Sequence, residues 1–199
     1  MYPHRYFGDE TERRKWQNPE DILASIGLRH GSTFVDLGCG EGFFALPAAK
    51  LVGEDGKVYG LDIDGEAIRR LKQKASKEGL KNLCLTVGEA EETLLCKKCA
   101  DIVFFGIVFH DFRDPLRVLS NAQKMLKPTG RLIDLDWKKE SMKFGPPLQI
   151  RFSQTRASSL IQSSGFKIKT VRKTGPYHYA IIAVLRSSTL EKRKFGEKA

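Results

Sequence analysis

The chain contains a glycine-rich segment that begins with an aspartate. The segment follows an apolar stretch and runs Asp36-Leu37-Gly38-Cys39-Gly40-Glu41-Gly42. Glycines directly after a strand let the backbone turn sharply into a helix and approach a ligand closely. Their G-x-G-x-G spacing differs from the G-x-G-x-x-G of dinucleotide sites, and Asp36 would repel a phosphate there. The segment therefore favours a ligand with an ammonium or sulfonium group and disfavours a nicotinamide oxidoreductase.

Polar or small residues also end the next three predicted strands. Asp62 ends the second strand, where a carboxylate can accept one hydrogen bond from each hydroxyl of a ribose. Gly88-Glu89-Ala90 ends the third strand, a polar position that suits the exocyclic amine of adenine. Gly106 in the fourth strand is small enough to let the amino-acid tail of a cofactor lie against the backbone.

At these positions the sequence resembles the class I S-adenosylmethionine-dependent methyltransferases. The matching features are V-D-L-G-C-G-x-G, the acid that closes the second strand, G-E-A after the third, and a predicted final hairpin. The resemblance extends from about Trp16 to Leu185. It is closer to the small ubiquinone/menaquinone-methyltransferase-like (type 11) group, through Phe109-His110-Asp111-Phe112, Asp114-Pro115-Leu116 and Asp136-Trp137-Lys138-Lys139-Glu140 before Gly145-Pro146-Pro147.

The resemblance implies S-adenosyl-L-methionine as the cofactor. Nine residues at the strand ends would contact it: Asp36, Gly38, Cys39, Gly40, Asp62, Ile63, Glu89, Ala90 and Gly106. The glycine-rich segment and Gly106 would line the methionine moiety, and Asp62 would bind the ribose. Ile63 would pack on the adenine, and Glu89 and Ala90 would meet its edge. The group usually has Asp where this chain has Glu89.

The expected chemistry places small demands on side chains. Methyl transfer from a sulfonium is an in-line displacement, so the protein supplies position and electrostatics. A general base is needed only if the acceptor arrives protonated. His110 follows the fourth strand and is our candidate catalytic residue, the alternative being a structural histidine bonded to loop backbone. Asp134 and Asp136 alternate with apolar residues on the fifth strand, so we expect one at the cleft and the other at the surface.

Two further features concern the acceptor and metals. The motif [N/D]-P-P-[Y/F] does not follow the fourth strand, which disfavours methylation of exocyclic base amines or glutamine amides. Cys96-Lys97-Lys98-Cys99 has the spacing of half a zinc site. Cys39 and Cys84, however, lie in the glycine-rich segment and in a strand. We therefore expect neither a bound metal nor arsenic methylation.

The elements that must position these residues alternate between short apolar strands and amphipathic helices. The pattern predicts an α/β, Rossmann-like, seven-stranded and mostly parallel sheet with helices on both faces. Only Thr174-Gly175-Pro176 joins the last two strands, so they must pair antiparallel. We expect a single domain over residues 1–199, with a mobile arm at 1–16 and a basic tail at 187–199. The cleft should lie at the carboxyl edge of the sheet, closed by the arm 1–16 and the loop 138–150. Strands are predicted at 33–37, 57–62, 82–87, 100–108, 131–137, 166–173 and 177–185.

The charge of the chain is unevenly distributed. Lys and Arg number 34 against 24 Asp and Glu, which gives a formal net charge of +10. Residues 1–137 carry a net −1 and residues 138–199 a net +11. Such a field favours an acidic substrate, a nucleic acid or an acidic partner, and it also suits a merely solvated surface. Our hypothesis is that this basic third selects an acidic acceptor or macromolecule.

The sequence thus predicts an enzyme, an S-adenosylmethionine-dependent methyltransferase with a small-molecule acceptor. The alternatives are an RNA- or protein-directed methyltransferase and a cofactor-binding protein without turnover. Nucleic acid is a disfavoured partner, and the oligomeric state is open. The N-terminus lacks an apolar signal region, and no run approaches the roughly 20 apolar residues of a membrane helix. We therefore expect a cytoplasmic protein with no membrane partner.

Overall fold

The structure is a computed structural model and describes residues 10–186. In chain order its elements are α1 Glu10–Trp16, α2 Pro19–Ser25, β1 Thr33–Leu37, α3 Ala45–Val52, β2 Lys57–Asp62, α4 Gly65–Lys77, β3 Leu83–Val87, β4 Ala100–Gly106, α5 Pro115–Met125, β5 Leu126–Trp137, α6 Gln154–Ser163, β6 Phe166–Thr174 and β7 His178–Leu185. A short 3-10 helix, Phe109–Asp111, follows β4. Every predicted strand is present. The largest shift in a boundary is at β5, which begins five residues before the predicted position.

The seven strands form one sheet in the order β3-β2-β1-β4-β5-β7-β6. Strands β1 to β5 are parallel, whereas β7 pairs antiparallel with both β5 and β6. The prediction of an antiparallel final hairpin is therefore confirmed. The chain order reverses between β1 and β4, and this reversal leaves a crevice beyond the carboxyl ends of these two strands.

Side-chain caps determine where the helices beside this crevice begin. The side chain of Asp64 accepts hydrogen bonds from backbone N–H groups in the first turn of α4. Asp114 caps α5 in the same way, and Pro115 occupies the first helical position, where no N–H donor is needed. Loss of such a cap typically costs about 1 kcal/mol.

Apolar layers cover both faces of the sheet. Helices α2, α3 and α4 pack on one face, and α5 and α6 pack on the other. The helical pattern predicts Leu116 among the inward residues of α5, and this is wrong, because Leu116 is 48% exposed. The buried stripe of α5 is centred on Val118, Ala122 and Met125. Leu116 lies about 150° away around the helix at 3.6 residues per turn.

The N-terminal segment differs from the expectation of a mobile arm. Residues 10–16 form the helix α1, and its last residue, Trp16, packs against the body of the protein. Residues 1–9 and the predicted basic tail at 187–199 lie outside the described residues. Among the described helices, none combines the length and apolar character that crossing a membrane requires.

The connection from β3 to β4, residues 88–99, contains neither helix nor strand. Leu94 and Leu95 pack against the core from this segment. Cys96 and Cys99 are joined by a disulfide. Within residues 10–186, no group of three or more His, Cys, Asp or Glu residues could hold a metal ion.

Candidate active site

A cleft of about 1010 Å³ opens at the carboxyl ends of the parallel strands, where the strand order reverses. Open α/β sheets bind their ligands at this position. The nine predicted cofactor residues and His110 all line this cleft: Asp36, Gly38, Cys39, Gly40, Asp62, Ile63, Glu89, Ala90, Gly106 and His110. The fold thus brings the predicted set together, and the role of each residue stays a prediction.

The turn after β1 is shaped by its glycines. Gly38 has a φ of +77° and Gly40 a φ of +52°, values that favour glycine. A Cβ atom on Gly38 would lie 2.6 Å from Cγ2 of Val108, so a side chain would also clash there. The backbone N–H groups of Gly38 and Cys39 both donate to the Leu61 carbonyl, at 2.7 and 3.0 Å. The turn is therefore fixed to the end of β2.

Asp62, at the end of β2, has a carboxylate held by backbone donors. Its Oδ2 accepts a hydrogen bond from Gly40 N at 2.7 Å, and its Oδ1 accepts one from Asp64 N at 2.9 Å. Each carboxylate oxygen can accept more than one hydrogen bond. Both oxygens therefore keep acceptor capacity for two neighbouring hydroxyl groups of a ligand.

Asp36 is a buried carboxyl group at the wall of the cleft, only 1% exposed. Burial, together with the charge of Asp62, raises its pKa to about 8, and Arg13 offsets part of the rise. Its Oδ2 has no hydrogen-bond partner within the described part of the chain. A buried acceptor without a partner is costly. A cationic donor from a ligand would satisfy it and favour its ionised form.

The opposite end of the cleft combines an exposed apolar residue with acidic ones. Ile63 is 57% exposed at the rim, a position open to a flat ring. Glu89 forms an ion pair with Arg113. The buried Glu91, which the sequence did not single out, accepts hydrogen bonds from the backbone N–H groups of Arg113 and Asp114, at 3.0 and 3.3 Å. Glu91 thereby ties the segment after β3 to the start of α5.

His110 is buried beside the cleft and paired with Asp136. Its Nδ1 lies 2.8 and 2.9 Å from the two carboxylate oxygens of Asp136, and its backbone N–H donates to one of them at 3.3 Å. Its Nε2 lies 3.5 Å from Asp111 Oδ1. Burial alone would lower the pKa of His110, but Asp136 and Asp111 outweigh burial, so the pKa is raised. The Asp136 contact holds the Nδ1 proton and leaves Nε2 as the basic nitrogen.

The burial of Asp134 and Asp136 differs from the expectation that one of them lies at the surface. Both carboxyl groups are buried, and neither lies at the surface. They project from the same face of β5, because they are two residues apart along a strand. Burial and the neighbouring Asp136 raise the pKa of Asp134 well above its usual value, which favours the neutral form of Asp134. Asp136 is the one of the two carboxyl groups that contacts His110.

Helix α1 forms part of the cleft wall, in agreement with the expectation that the segment 1–16 closes the cleft. The Arg13 guanidinium lies 3.6 Å from the centre of the Phe43 ring, and its Nε donates to Gln17 Oε1 at 2.7 Å. Trp16 packs within an aromatic cluster, with ring centroids 5.5 Å from Tyr177 and 6.0 Å from Trp137. The contacts that hold the helix were not predicted, and their only signal in the sequence was the aromatic content of the N-terminal segment.

The loop at residues 138–150 closes the other side of the cleft and is organised by Arg151. This buried guanidinium donates to four main-chain carbonyls, those of Lys138, Glu140, Phe144 and Pro146, at 2.7 to 3.3 Å. Pro146 and Ile150 of the loop line the cleft. The sequence predicted that this loop closes the cleft but gave no sign of the role of Arg151.

The comparisons with known proteins agree with this geometry. Residues 28–171 match a family model described as a methyltransferase domain. A crystal structure of a SAM-dependent methyltransferase from Aquifex aeolicus superposes with a TM-score of 0.83 at 30% identity, covering 89% of this chain and 99% of that one. The chain belongs to the class I S-adenosylmethionine-dependent methyltransferases. Its cofactor is accordingly S-adenosylmethionine, as predicted.

Curated relatives place this methyltransferase in the type 11 group. A demethylmenaquinone methyltransferase from Geobacillus kaustophilus is 30% identical over 122 residues, which is 61% of this chain and 51% of the relative. One from Bacillus mycoides is 31% identical over 123 residues, 62% of this chain and 52% of the relative. The chain therefore spans about half of the length of the curated relatives that it matches.

The cleft of this methyltransferase fits S-adenosylmethionine on its own features. The buried Asp36 oxygen without a partner suits the ammonium group of the methionine moiety. The backbone-held oxygens of Asp62 suit the ribose diol. Gly106 lines the cleft without a side chain, and a Cβ atom there would lie 2.6 Å from the Phe104 ring.

Proposed function

We propose that this chain transfers the methyl group of S-adenosylmethionine to a small-molecule acceptor, with His110 as the general base. The observation that carries the proposal is the His110–Asp136 pair on the cleft that Asp36 and Asp62 also line. A buried imidazole with its Nδ1 held by a carboxylate is poised to take a proton at Nε2.

The residues around the glycine turn would bind and orient the cofactor. Asp36 would accept from its ammonium group, and Asp62 would accept from the two ribose hydroxyls. Ile63, Glu89 and Ala90 would contact the adenine, while Gly38 and Gly106 would let the methionine moiety lie against backbone. When bound, S-adenosylmethionine supplies an electrophilic methyl group on a sulfonium sulfur.

His110 would act on the acceptor rather than on the cofactor. An acceptor O–H group placed at Nε2 would lose its proton to the ring as the nucleophilic oxygen or carbon of the acceptor takes up the methyl group. Asp136 would stabilise the resulting imidazolium, because its carboxylate contacts Nδ1 at 2.8 Å. The sulfonium would supply the methyl group and retain the electron pair of its carbon–sulfur bond.

A small acceptor is supported by the enclosure of the cleft and by the names of the curated relatives. Helix α1 and the loop 138–150 flank the cleft on two sides. The relatives are named demethylmenaquinone methyltransferases, which motivates demethylmenaquinone as the first acceptor to test. It should be supplied in its reduced quinol form, because the quinone has no hydroxyl proton for His110 to remove. An acidic acceptor has no such support, because Arg151 and Lys138 direct their donors to main-chain carbonyls.

The first experiment is a calorimetric titration of the full chain with S-adenosylhomocysteine. We expect a dissociation constant in the micromolar range, about −8 kcal/mol, that weakens at least tenfold in Asp62→Ala. Asp55→Ala is the matched control, since Asp55 is an exposed acid in a turn away from the cleft. Absence of binding at millimolar ligand would contradict the proposal.

The second experiment measures transfer of a labelled methyl group to candidate acceptors. We expect turnover that falls by roughly 10²–10⁴ in His110→Gln, with calorimetric binding of S-adenosylhomocysteine retained. Binding without transfer to any acceptor of a broad screen would support a cofactor-holding protein instead. Turnover unaffected by His110→Gln would remove the base from the mechanism.

A further inference from the structure

Within residues 138–186, the exposed positive charge lies away from the cleft. Residues 141–186 contain eight Lys and Arg residues and no Asp or Glu. Two cations near the cleft are occupied by main-chain carbonyls: Arg151 donates to four of them, and Lys138 Nζ donates to Pro176 O at 2.6 Å. The free positive charge must therefore be sought on the outside of the molecule.

Strand β6 carries an exposed part of this charge. It forms one edge of the sheet, and its Lys167, Lys169 and Lys173 are exposed. None of these three lysines has an acidic partner among residues 10–186. Some exposed cations elsewhere are compensated, as in the pairs Lys50–Glu78 and Lys127–Asp101, both at 2.8 Å. Lys72, Lys77 and Lys81, on and after α4, are exposed and also lack an acidic partner within residues 10–186, so they provide a matched comparison.

The three lysines flank the free edge of β6 along its length. The nine residues of β6 extend for about 30 Å. A register shift between Ile168 and Thr170 places Lys167, opposite Val184, and Lys173, opposite Tyr179, on different faces of the sheet, with Lys169 at the shift. The edge is therefore bordered by cations on both faces. The loop 138–150, whose Lys138 N donates to Tyr177 O at 2.9 Å beside the end of β6, adds the exposed Lys139 and Lys143.

We propose that the outer edge of β6, with Lys167, Lys169 and Lys173, is a docking surface for a nucleic acid. Uncompensated cations on both sides of a free strand edge are complementary to a chain of phosphates that follows this edge. The free edge of the strand also presents backbone N–H groups, which commonly donate to phosphate oxygens. A lipid surface would require a broad apolar face as well, and β6 exposes a single large apolar side chain, Val171.

Protection of the sheet edge does not explain these lysines on its own. Charged residues on edge strands hinder pairing with strands of other molecules. The other edge strand of the same sheet, β3, has the sequence Leu-Cys-Leu-Thr-Val and contains no charged residue. Exposed lysines also occur beyond β6, at Lys139 and Lys143 of the loop 138–150, where no strand edge exists.

The test is fluorescence anisotropy of a labelled 20-nucleotide single-stranded RNA of mixed sequence with the full chain, from 50 to 300 mM salt. We expect a dissociation constant of roughly 10⁻⁴–10⁻⁶ M near physiological salt, with little dependence on sequence. The variant K167Q/K169Q/K173Q should bind at least tenfold more weakly. Its slope of log K against log salt should be shallower by about 2, because each phosphate neutralised on a single strand adds roughly 0.7 to that slope.

A matched control removes the same charge at the other end of the sheet. K72Q/K77Q/K81Q replaces three exposed lysines on and after α4, which packs near β2 and β3, and should leave RNA affinity within about twofold. Equal weakening in both triple variants would assign binding to net charge and overturn the proposal. So would an absence of RNA binding by the unmodified chain, or binding only to anionic vesicles. The outcome is independent of methyl transfer, and calorimetry with S-adenosylhomocysteine confirms that each variant is folded.

Discussion

Asp36 couples protonation to ligand binding because it is buried next to Asp62. Its pKa of about 8 lies above the usual value of 3.8, so the folded chain holds a proton that the unfolded chain releases. Stability therefore falls as the pH rises between these values, since the unfolded state binds fewer protons there. A ligand ammonium group at this position would reverse the preference and favour the carboxylate.

This coupling predicts how cofactor affinity depends on pH. The affinity for S-adenosylhomocysteine should rise by up to about tenfold per pH unit from pH 6 to 8 and then level off, because one proton must leave Asp36. Asp36→Asn should bind more weakly, with a flat profile. Calorimetry at four pH values checks both expectations, and Asp55→Asn should keep the slope. A flat profile for the unmodified chain would contradict this role of Asp36.

His110 and Asp136 predict a second pH dependence, in catalysis. The raised pKa of His110 places the rise of turnover with pH above the usual imidazole value of 6.5, because only the neutral ring can accept a proton. Asp136→Asn should move this rise to lower pH, since burial then dominates and lowers the pKa of His110. Proton NMR titration of the ring checks the shift without any acceptor. An unchanged His110 pKa in Asp136→Asn would refute the coupling.

Two segments outside the sheet, α1 and the loop 138–150, form part of the cleft wall. Helix α1 is held by Trp16 in its aromatic cluster and by Arg13 on Phe43. The loop 138–150 is held by Arg151. Neither set of contacts could be predicted from the sequence. Each joins a side chain to groups in other segments, and no local sequence pattern relates the two. A seven-residue helix with no buried residue also lacks an apolar stripe.

The clamp by Arg151 predicts a local effect on the loop. Arg151→Met should leave four main-chain carbonyls without their donor and destabilise the fold by roughly 2–4 kcal/mol. Limited proteolysis should then cut within residues 138–150 at least tenfold faster, as mass spectrometry of the fragments would show. Arg156→Met is the control, because Arg156 is exposed and makes none of these bonds. Cleavage at the unmodified rate would show that the loop is held by other contacts.

At the scale of the whole molecule, the sequence predicted best those features that depend on the residues of a single helix, strand or turn. The strands, the antiparallel hairpin and the ligand-binding edge follow from local patterns, and the comparisons support the resulting fold. The pairing of His110 with Asp136 could not be predicted, because the two residues are 26 positions apart and meet only through the packing of β4 beside β5. The sequence shows the charge asymmetry, but only the fold shows that the exposed basic residues within 138–186 lie away from the cleft.

The connection at residues 88–99 also governs how the molecule opens. Regular secondary structure is absent there, so its amides should exchange with solvent through low-energy local openings, ahead of those in β1 and β4. Because Glu89 and Ala90 line the cleft, bound S-adenosylhomocysteine should slow deuterium uptake in this segment. Mass spectrometry with and without ligand would detect this protection. If uptake without ligand is as slow as in β1, residues 88–99 do not open locally. Fast uptake that the ligand slows would mean that the nucleoside enters through local opening of this segment at one side of the sheet, while α1 stays in place.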